Sequence, residues 1–568
     1  MRTALSVVLS TIGGLLLLVG GAAAFVVGPD DTATLPAGTT ATVSGVALTA
    51  SDLFPVRDVT LHVAARSAGG DVFLGSAHPV DARDYVRDVR ARLVQRVGAD
   101  GALSGRLLEG GLDAPSVVPT DADFWQRTSS GSGQRTLAVP LTGEPVSVVV
   151  VPLGGPAATT VAFGAVVPGA FVAALVAAAL GLGLVVVAVR ARRAGRRARP
   201  GAPTVGAAQQ PSAVYHAERP AAPEIGVSPT RPATPLRRAA AHVGRRAAAF
   251  AALAAVTALA ACAPLPSRVD AVGVPTRPAV TADELDAAVA SYDERNNAVL
   301  ASGTSGAEGV GWSGVDAGAL LAAAEYDSAY DAAAGTPPAP VVVEHTTLAS
   351  VVPTFAAYPL WFVVLGESTR DGEAEDGQVL RVLERDRVTD PWRASLSVRV
   401  ADDAVTLAPS GTVSPTAAQE SAALAALEDV RLHLETGSTP RVELGDLAPF
   451  RERVLATGDL EASLTVERAV VTPFGNPEDP TAPGGPVQVV RVDGGTLLVA
   501  SLGYEFVRRV EPGWFLTLAD PAVARITRQE GDLQNVRQHG VVQTVVLVPD
   551  EGTPRVVGGW WQTVLPPS

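Results

Sequence analysis

The chain has 568 residues, of which 47% are hydrophobic and 18% charged, and its mean hydropathy is +0.25. Such a composition argues against disorder and for membrane segments, and the length predicts three or four domains at about 150 residues each. The net charge of −14 speaks against a nucleic-acid partner. All 44 basic residues are arginine, so the lysine of a phosphate-binding Walker A loop is missing, and the single cysteine excludes internal disulfides and cysteine-based zinc sites.

Three apolar stretches organise the chain. Leu5 to Val27 carries no charge and would span roughly 34 Å as a helix. Residues 1–27 therefore read as a transmembrane helix or signal anchor, with Ala22-Ala23-Ala24 as a cleavage site in the signal-peptide alternative. Residues 161–189 also lack charge and end in Arg190, Arg192, Arg193, Arg196, Arg197 and Arg199, the pattern of a transmembrane helix with a basic stop; Pro168 would sit near its outer end. Residues 247–263 are Ala-rich and shorter. They follow Arg245 and Arg246 and end in Leu259-Ala260-Ala261-Cys262. This stretch resembles a bacterial lipobox, which would place a diacylglycerol on Cys262; the alternative is an uncleaved third helix. Residues 190–250 hold 12 Arg against Glu218 and Glu224, whereas 28–160 and 263–568 are net acidic. The positive-inside rule then places 190–246 in the cytoplasm and 28–160 and 263–568 outside.

Residues 28–160 predict a small α/β or β-rich domain. Strands are expected at Val59–Ala65, Val72–Ala77, Thr136–Val139 and Val146–Val151. A helix capped by Asp81 would place Tyr85, Val86, Val89 and Leu93 on one face. Val72-Phe73-Leu74-Gly75, Asp81, Tyr85, Asp123-Phe124-Trp125, Gly131-Ser132-Gly133 and Thr136-Leu137 resemble a family of uncharacterised actinobacterial membrane proteins with a pair of helices around such a domain. The resemblance covers residues 1–195 and implies architecture only. Residues 190–246, rich in Pro, Ala and Arg, read as a disordered cytoplasmic linker.

The C-terminal portion predicts two successive α+β domains, 275–410 and 411–568, each running from helices into an antiparallel meander. Helices are expected from Thr281 to Leu300, Asp316 to Ala333, Ser414 or Thr416 to Leu434, and Leu447 to Leu455. Strands are expected at Val341–Val351, Leu360–Gly366, Val379–Glu384 and Trp392–Val400, then at Ala462–Val471, Val487–Val492, Thr496–Val507, Val541–Val548 and Val556–Val564. Tyr292 with Asn296-Asn297, Leu320-Leu321 with Glu325, Tyr358-Pro359 with Trp361-Phe362, and Asp390-Pro391-Trp392 resemble the exported domain of uncharacterised actinobacterial lipoproteins. The order of elements is similar to the SnoaL-like and cystatin-like α+β folds. The fold class is thus a membrane protein with two to three transmembrane helices and α+β exported domains, a membrane-protein family fused to a lipoprotein-type domain.

Catalytic chemistry is not written in the sequence. Gly309-Val310-Gly311-Trp312-Ser313-Gly314 matches GxGxxG but follows no strand. The seven histidines show no metal-ligand spacing, and neither HExxH nor GxSxG occurs. No catalytic or metal residue and no cofactor is expected. Asp327 and Asp331 sit one helical turn apart, and either form a solvated face or, as in SnoaL-like enzymes, place an acid in a cone. Tyr292, Asp327, Trp361 and Trp392 are the pocket candidates, with core packing the alternative for Trp361, Trp392, Trp560 and Trp561. The expected function is that of a non-enzymatic cell-envelope protein. It would be anchored in the cytoplasmic membrane and bind an envelope component or protein partner. The alternative is a small-ligand-binding or SnoaL-like enzymatic domain.

Overall fold

The computed structural model describes residues 2–29, 31–34, 41–98, 102–166, 169–197, 267–268, 273–302, 311–335, 339–407, 414–456, 464–475, 485 and 487–566. Most of the linker and the whole of the 247–263 segment lie outside them. Among the described residues two helices are long and apolar enough to cross a membrane, α1 (Arg2–Val27) and α3 (Ala170–Arg197).

These two helices pack as an antiparallel hairpin because glycine lets their backbones touch. A Cβ on Gly181 would lie 2.5 Å from the Leu17 nitrogen, and one on Gly20 would lie 2.6 Å from the Ala178 nitrogen. Leu15, Leu18, Phe25, Val172 and Val187 point outward and are exposed, as a lipid-facing surface requires. Asp31 caps α3 by accepting the Gly169 and Phe171 amides, each at 2.8 Å, and these bonds lower its pKa. The helix begins at Ala170, not at Val161 as the apolar run suggested. Residues Ala158–Val166 form a strand whose alternate side chains, Val161 and Phe163 among them, are buried in a sheet core. The unbroken absence of charge merged a buried strand with the long apolar helix that follows it. Pro168 lies outside the described residues.

Between the two helices the chain folds into a two-sheet sandwich. One sheet runs in the order Thr32–Thr34, Ala158–Val166, Val59–Ser67, Gln134–Leu141, with Ala41–Ser44 also paired to Ala158–Val166. The other runs Leu103–Leu108, Ala91–Val97, Val46–Thr49, Ser147–Pro152, Val72–Ala77, Arg127–Gly131. Leu61, Val63, Leu74, Leu137, Val139, Val148, Val150 and Phe163 close the space between them. The expected long helix is shorter here. α2 spans only Pro79–Tyr85, capped by His78 and with Pro79 at its start. Leu93, assigned above to the helix face, lies in a strand parallel to Val46–Thr49.

The C-terminal half has the predicted order twice. The first module (273–407) places α4 (Ala282–Ser302) and α5 (Gly318–Ala334) before a sheet ordered Val343–Val351, Leu360–Arg370, Gln378–Arg385, Arg393–Val400. The second (414–566) places α6 (Ala417–Thr436) and α7 (Phe450–Val454) before a sheet ordered Leu464–Pro473, Gly495–Val510, Asn535–Pro549, Arg555–Thr563, with Val487–Val492 beside Gly495–Val510. A further short helix, α8 (Pro521–Ile526), was not foreseen. Thr416 and Gln419 form a capping box at the start of α6.

The two sheets share one apolar core that takes in Val363, Leu380, Leu396, Val398, Leu497, Val499 and Val545. Gly558 permits this approach, since a Cβ there would sit 2.4 Å from the Arg399 carbonyl. Gln543, fully buried, bridges the modules: its Oε1 accepts the Ser397 amide at 3.0 Å, and its Nε2 donates to the Ser395 carbonyl at 2.9 Å. The first module also shares an apolar cluster with the sandwich, joining Tyr85, Val86 and Val89 to Val280, Tyr292, Tyr358 and Val388.

Candidate functional site

A cleft of about 450 Å³ opens between α4, α5 and the last strand of the second module. α4 contributes Tyr292 and Asn296 because its buried stripe, Ala288, Val289, Tyr292, Asn296 and Val299, recurs at helical spacing. The turn before α5 contributes Trp312 and Asp316, α5 contributes Asp327, Ser328 and Asp331, and the last strand contributes Trp560 and Gln562.

The most deeply set acid is Asp316, with 4% of its surface exposed. Tyr292 donates to Asp316 Oδ1 at 3.3 Å. Burial raises the Asp316 pKa to about 7, opposed by the Tyr292 hydroxyl and the charge of Arg381. Behind the Tyr292 ring the Arg381 guanidinium lies 5.2 Å from the centroid and 3.6 Å from Asp293 Oδ1. Arg381 is 3% exposed, and its Nε and Nη1 have no hydrogen-bond acceptor among the described residues. Asp293 in turn accepts the His345 amide at 2.9 Å and sits 2.6 Å from His345 Nδ1. This acid–histidine pair lies outside the cleft lining.

The walls are fixed from both modules. Trp312 Nε1 donates to Ser328 Oγ at 2.8 Å, and Trp560 Nε1 donates to the Ser397 carbonyl at 2.7 Å. Gln562 donates to Asp327 Oδ1. Burial, first, raises the Asp327 pKa, and Asp331 adds to the effect against the Gln562 bond. The cleft thus combines a protonatable floor, an acidic rim and aromatic walls, a set of groups that suits a guest with a cationic head and an apolar body.

The structure brings two of the four sequence-derived pocket candidates together, Tyr292 and Asp327. The other two lie elsewhere. Trp361 packs on the core between the sheets, edge-on to Phe355 at 5.7 Å. Trp392 packs edge-on to Phe362 at 4.9 Å, with Arg385 above it. Both are packing residues: Trp361 stands on Leu360–Arg370, a strand buried over most of its length, and Trp392 lies just before the strand Arg393–Val400, not in it as the sequence suggested. Leu259, Ala260, Ala261 and Cys262 lie outside the described residues, as do Gly309 and Val310. Sequence reasoning missed Asp316 and Arg381. Arg381 had a signal, since it is the lone charge in the run Val379–Leu383, where a charged side chain must be buried with a partner. Asp316 had none, because it reads as an ordinary helix-start acid.

The described residues define a class: a helical hairpin of membrane-spanning length carrying a β-sandwich, with a tandem α+β unit docked on it. Residues 276–565 match the family described as Domain of unknown function (DUF8094), and the chain belongs to that family. No curated protein matches the chain.

Proposed function

We propose that the protein is a membrane-tethered binding protein of the cell envelope, whose tandem α+β unit takes up a cationic ligand or cationic partner group outside the cytoplasmic membrane. The observation that carries this reading is the cleft between the modules, in which Asp316, Asp327 and Asp331 face a common space beside Trp312 and Trp560. Its placement outside rests on the Arg-rich 190–250 segment and on the fold. In the antiparallel hairpin Arg197 lies at the end opposite the sandwich, whereas the first module packs on the sandwich. A chain that joins these ends in a membrane has to return across it, and we assign that return to the apolar sequence 247–263, outside the described residues, with an uncleaved third helix or a lipoprotein signal ending at Cys262 as the two alternatives. In this reading a membrane-protein family and a lipoprotein-type domain are fused.

A second reading, a SnoaL-like enzyme, draws support from the order of elements and from Asp316, which titrates near neutrality on the cleft floor beside Tyr292. Titration of the detergent-solubilised full chain with spermidine and with benzamidine separates binding from no binding, read by tryptophan fluorescence and melting temperature. A saturable response to either cation is expected, weakened at least tenfold in an Asp316→Asn, Asp327→Asn double variant. A flat response to both removes the cationic guest.

A further inference from the structure

The two halves of the chain meet at a charged face with a particular logic. α2 presents Asp81 and Asp84, whose side chains are only 3% and 5% exposed. Buried carboxylates are tolerated when they are paired, and here most of the pairing comes from the other half. Asp81 accepts from Arg277 and, at 2.9 Å, from the Tyr358 hydroxyl. Asp84 Oδ2 accepts the Val388 amide at 2.8 Å and Arg387 Nε at 3.4 Å, while Arg387 Nη2 reaches the Asp84 carbonyl at 3.2 Å. Within its own half Asp84 also pairs with Arg87 at 3.2 Å. Asp88 completes the set at the rim, 2.5 Å from Arg387 Nη1. Around these bonds Val86 and Val89 share one apolar cluster with Val280 and Val388. Ser267–Arg268 adds a two-residue strand against Val56–Arg57.

We infer that the Arg277–Tyr358–Arg387 face of the DUF8094 domain is a docking site for the acidic α2 segment of the sandwich domain, and that docking holds the two halves together without a covalent connection. The occupant is the sandwich domain of this chain. Arg277, Tyr358 and Arg387 lie within the stretch that matches the family, 276–565, whereas Asp81 and Asp84 lie outside it. Receptor and occupant are therefore parts of different domains, separated by nearly two hundred residues of chain. Undocking would leave Asp81 and Asp84 without their main partners and expose a row of valines. The site selects by charge as well as by shape, since an occupant lacking two acids one helical turn apart would strand Arg277 and Arg387.

A full-length chain with a site-specific protease sequence inserted between residues 205 and 240, and a tag at each end, tests this. After purification in detergent the linker is cut and the N-terminal tag is captured. The C-terminal half is expected to stay bound at low micromolar concentration and to elute with its partner as one species. Its quantitative release would overturn the inference. Arg387→Glu and Arg277→Glu are expected to lower retention at least tenfold, whereas Arg441→Gln, an exposed arginine of the second module paired with Asp429, leaves it unchanged. Retention of both charge reversals at the wild-type level would overturn the charged site. Where a reversal does not fold, Arg387→Gln carries the same test, with a smaller loss of retention expected and wild-type retention again counting against the site.

Discussion

Asp316 shows how a single buried carboxyl sets a pH dependence. Its pKa is about 7 in the folded chain against 3.8 ordinarily, so the folded state prefers the protonated form. The stability tied to that proton is fully present below the ordinary value and is lost as pH rises through about 7. The loss runs at up to about 1.4 kcal/mol per pH unit between the ordinary value and about 7, and levels off above it once both states have lost the proton. The melting temperature of the wild-type chain is expected to fall between pH 6 and 8.5 by several degrees more than that of Asp316→Asn. Equal slopes in the two proteins would remove Asp316 as the cause. The same carboxyl gains negative charge over this window, so a cationic guest in the cleft should bind more tightly at pH 8 than at pH 6. Gln543 makes the complementary point for a neutral group. Gln543→Leu keeps the volume but leaves the Ser397 amide and the Ser395 carbonyl without their partner. Unsatisfied buried groups cost about 1–3 kcal/mol each, so equilibrium denaturation of the variant should show a loss of about 2–4 kcal/mol.

At the scale of elements, the hairpin depends on the absence of side chains. Gly181→Leu would push a Cβ to within 2.6 Å of the Gly13 carbonyl, whereas a Cβ at Gly183 meets nothing within 4 Å. Cysteines placed at Ser6 and Arg192, whose native side chains are bonded at 3.2 Å, report on helix pairing. With Cys262 replaced by Ser, cross-linking in membranes should fall several-fold with Gly181→Leu and stay level with Gly183→Leu. A match between the two would show that close contact at Gly181 does not hold the helices. The elements also show where the sequence was legible. Local rules located α6, because Thr416 and Gln419 satisfy the first-turn amides without help from tertiary structure. Apolar runs with strand-like alternation located Val487–Val492 to the residue, and an apolar run alone located Val72–Ala77, which is buried at every position. Reading failed where periodicity and polarity disagree. Val161 to Val166 has the apolarity of a membrane helix, yet it pairs in the sheet with Val59–Ser67 on one side and with Ala41 and Thr32–Thr34 on the other. Val86, Val89 and Leu93 suit a helix face equally well, but the chain turns after Tyr85 and Ala91–Val97 pairs with Val46–Thr49. The cleft was half legible: Tyr292 and Asp327 stand out on amphipathic helices, while Trp560 and Gln562 reach it only because the second sheet packs on the first.

At the scale of the whole molecule, the two halves pack together, and the sidedness proposed above has to fit that packing. Asp31 ties the start of α3 to the end of α1, so the sandwich sits at one end of the hairpin and Arg197 at the other. The first module packs on the sandwich through a common apolar cluster, so both belong to one compartment. We propose that this compartment is the outside, because the sequence beyond α3 is Arg-rich, which favours the inner face, while the sandwich and the tandem unit are acidic. Alkaline phosphatase, which is active only when exported, can be fused after Gly155, after residue 205 and after Ser568. Activity is expected at the first and third positions and not at the second. Activity at Gly155 without activity at Ser568 would separate the two halves across the membrane, and the packing of Val280 and Val388 against Val86 and Val89 could then not exist in the cell. The tether, the docked face and the cleft would lose their common frame with it, because each relies on the tandem unit standing on the same side as the sandwich.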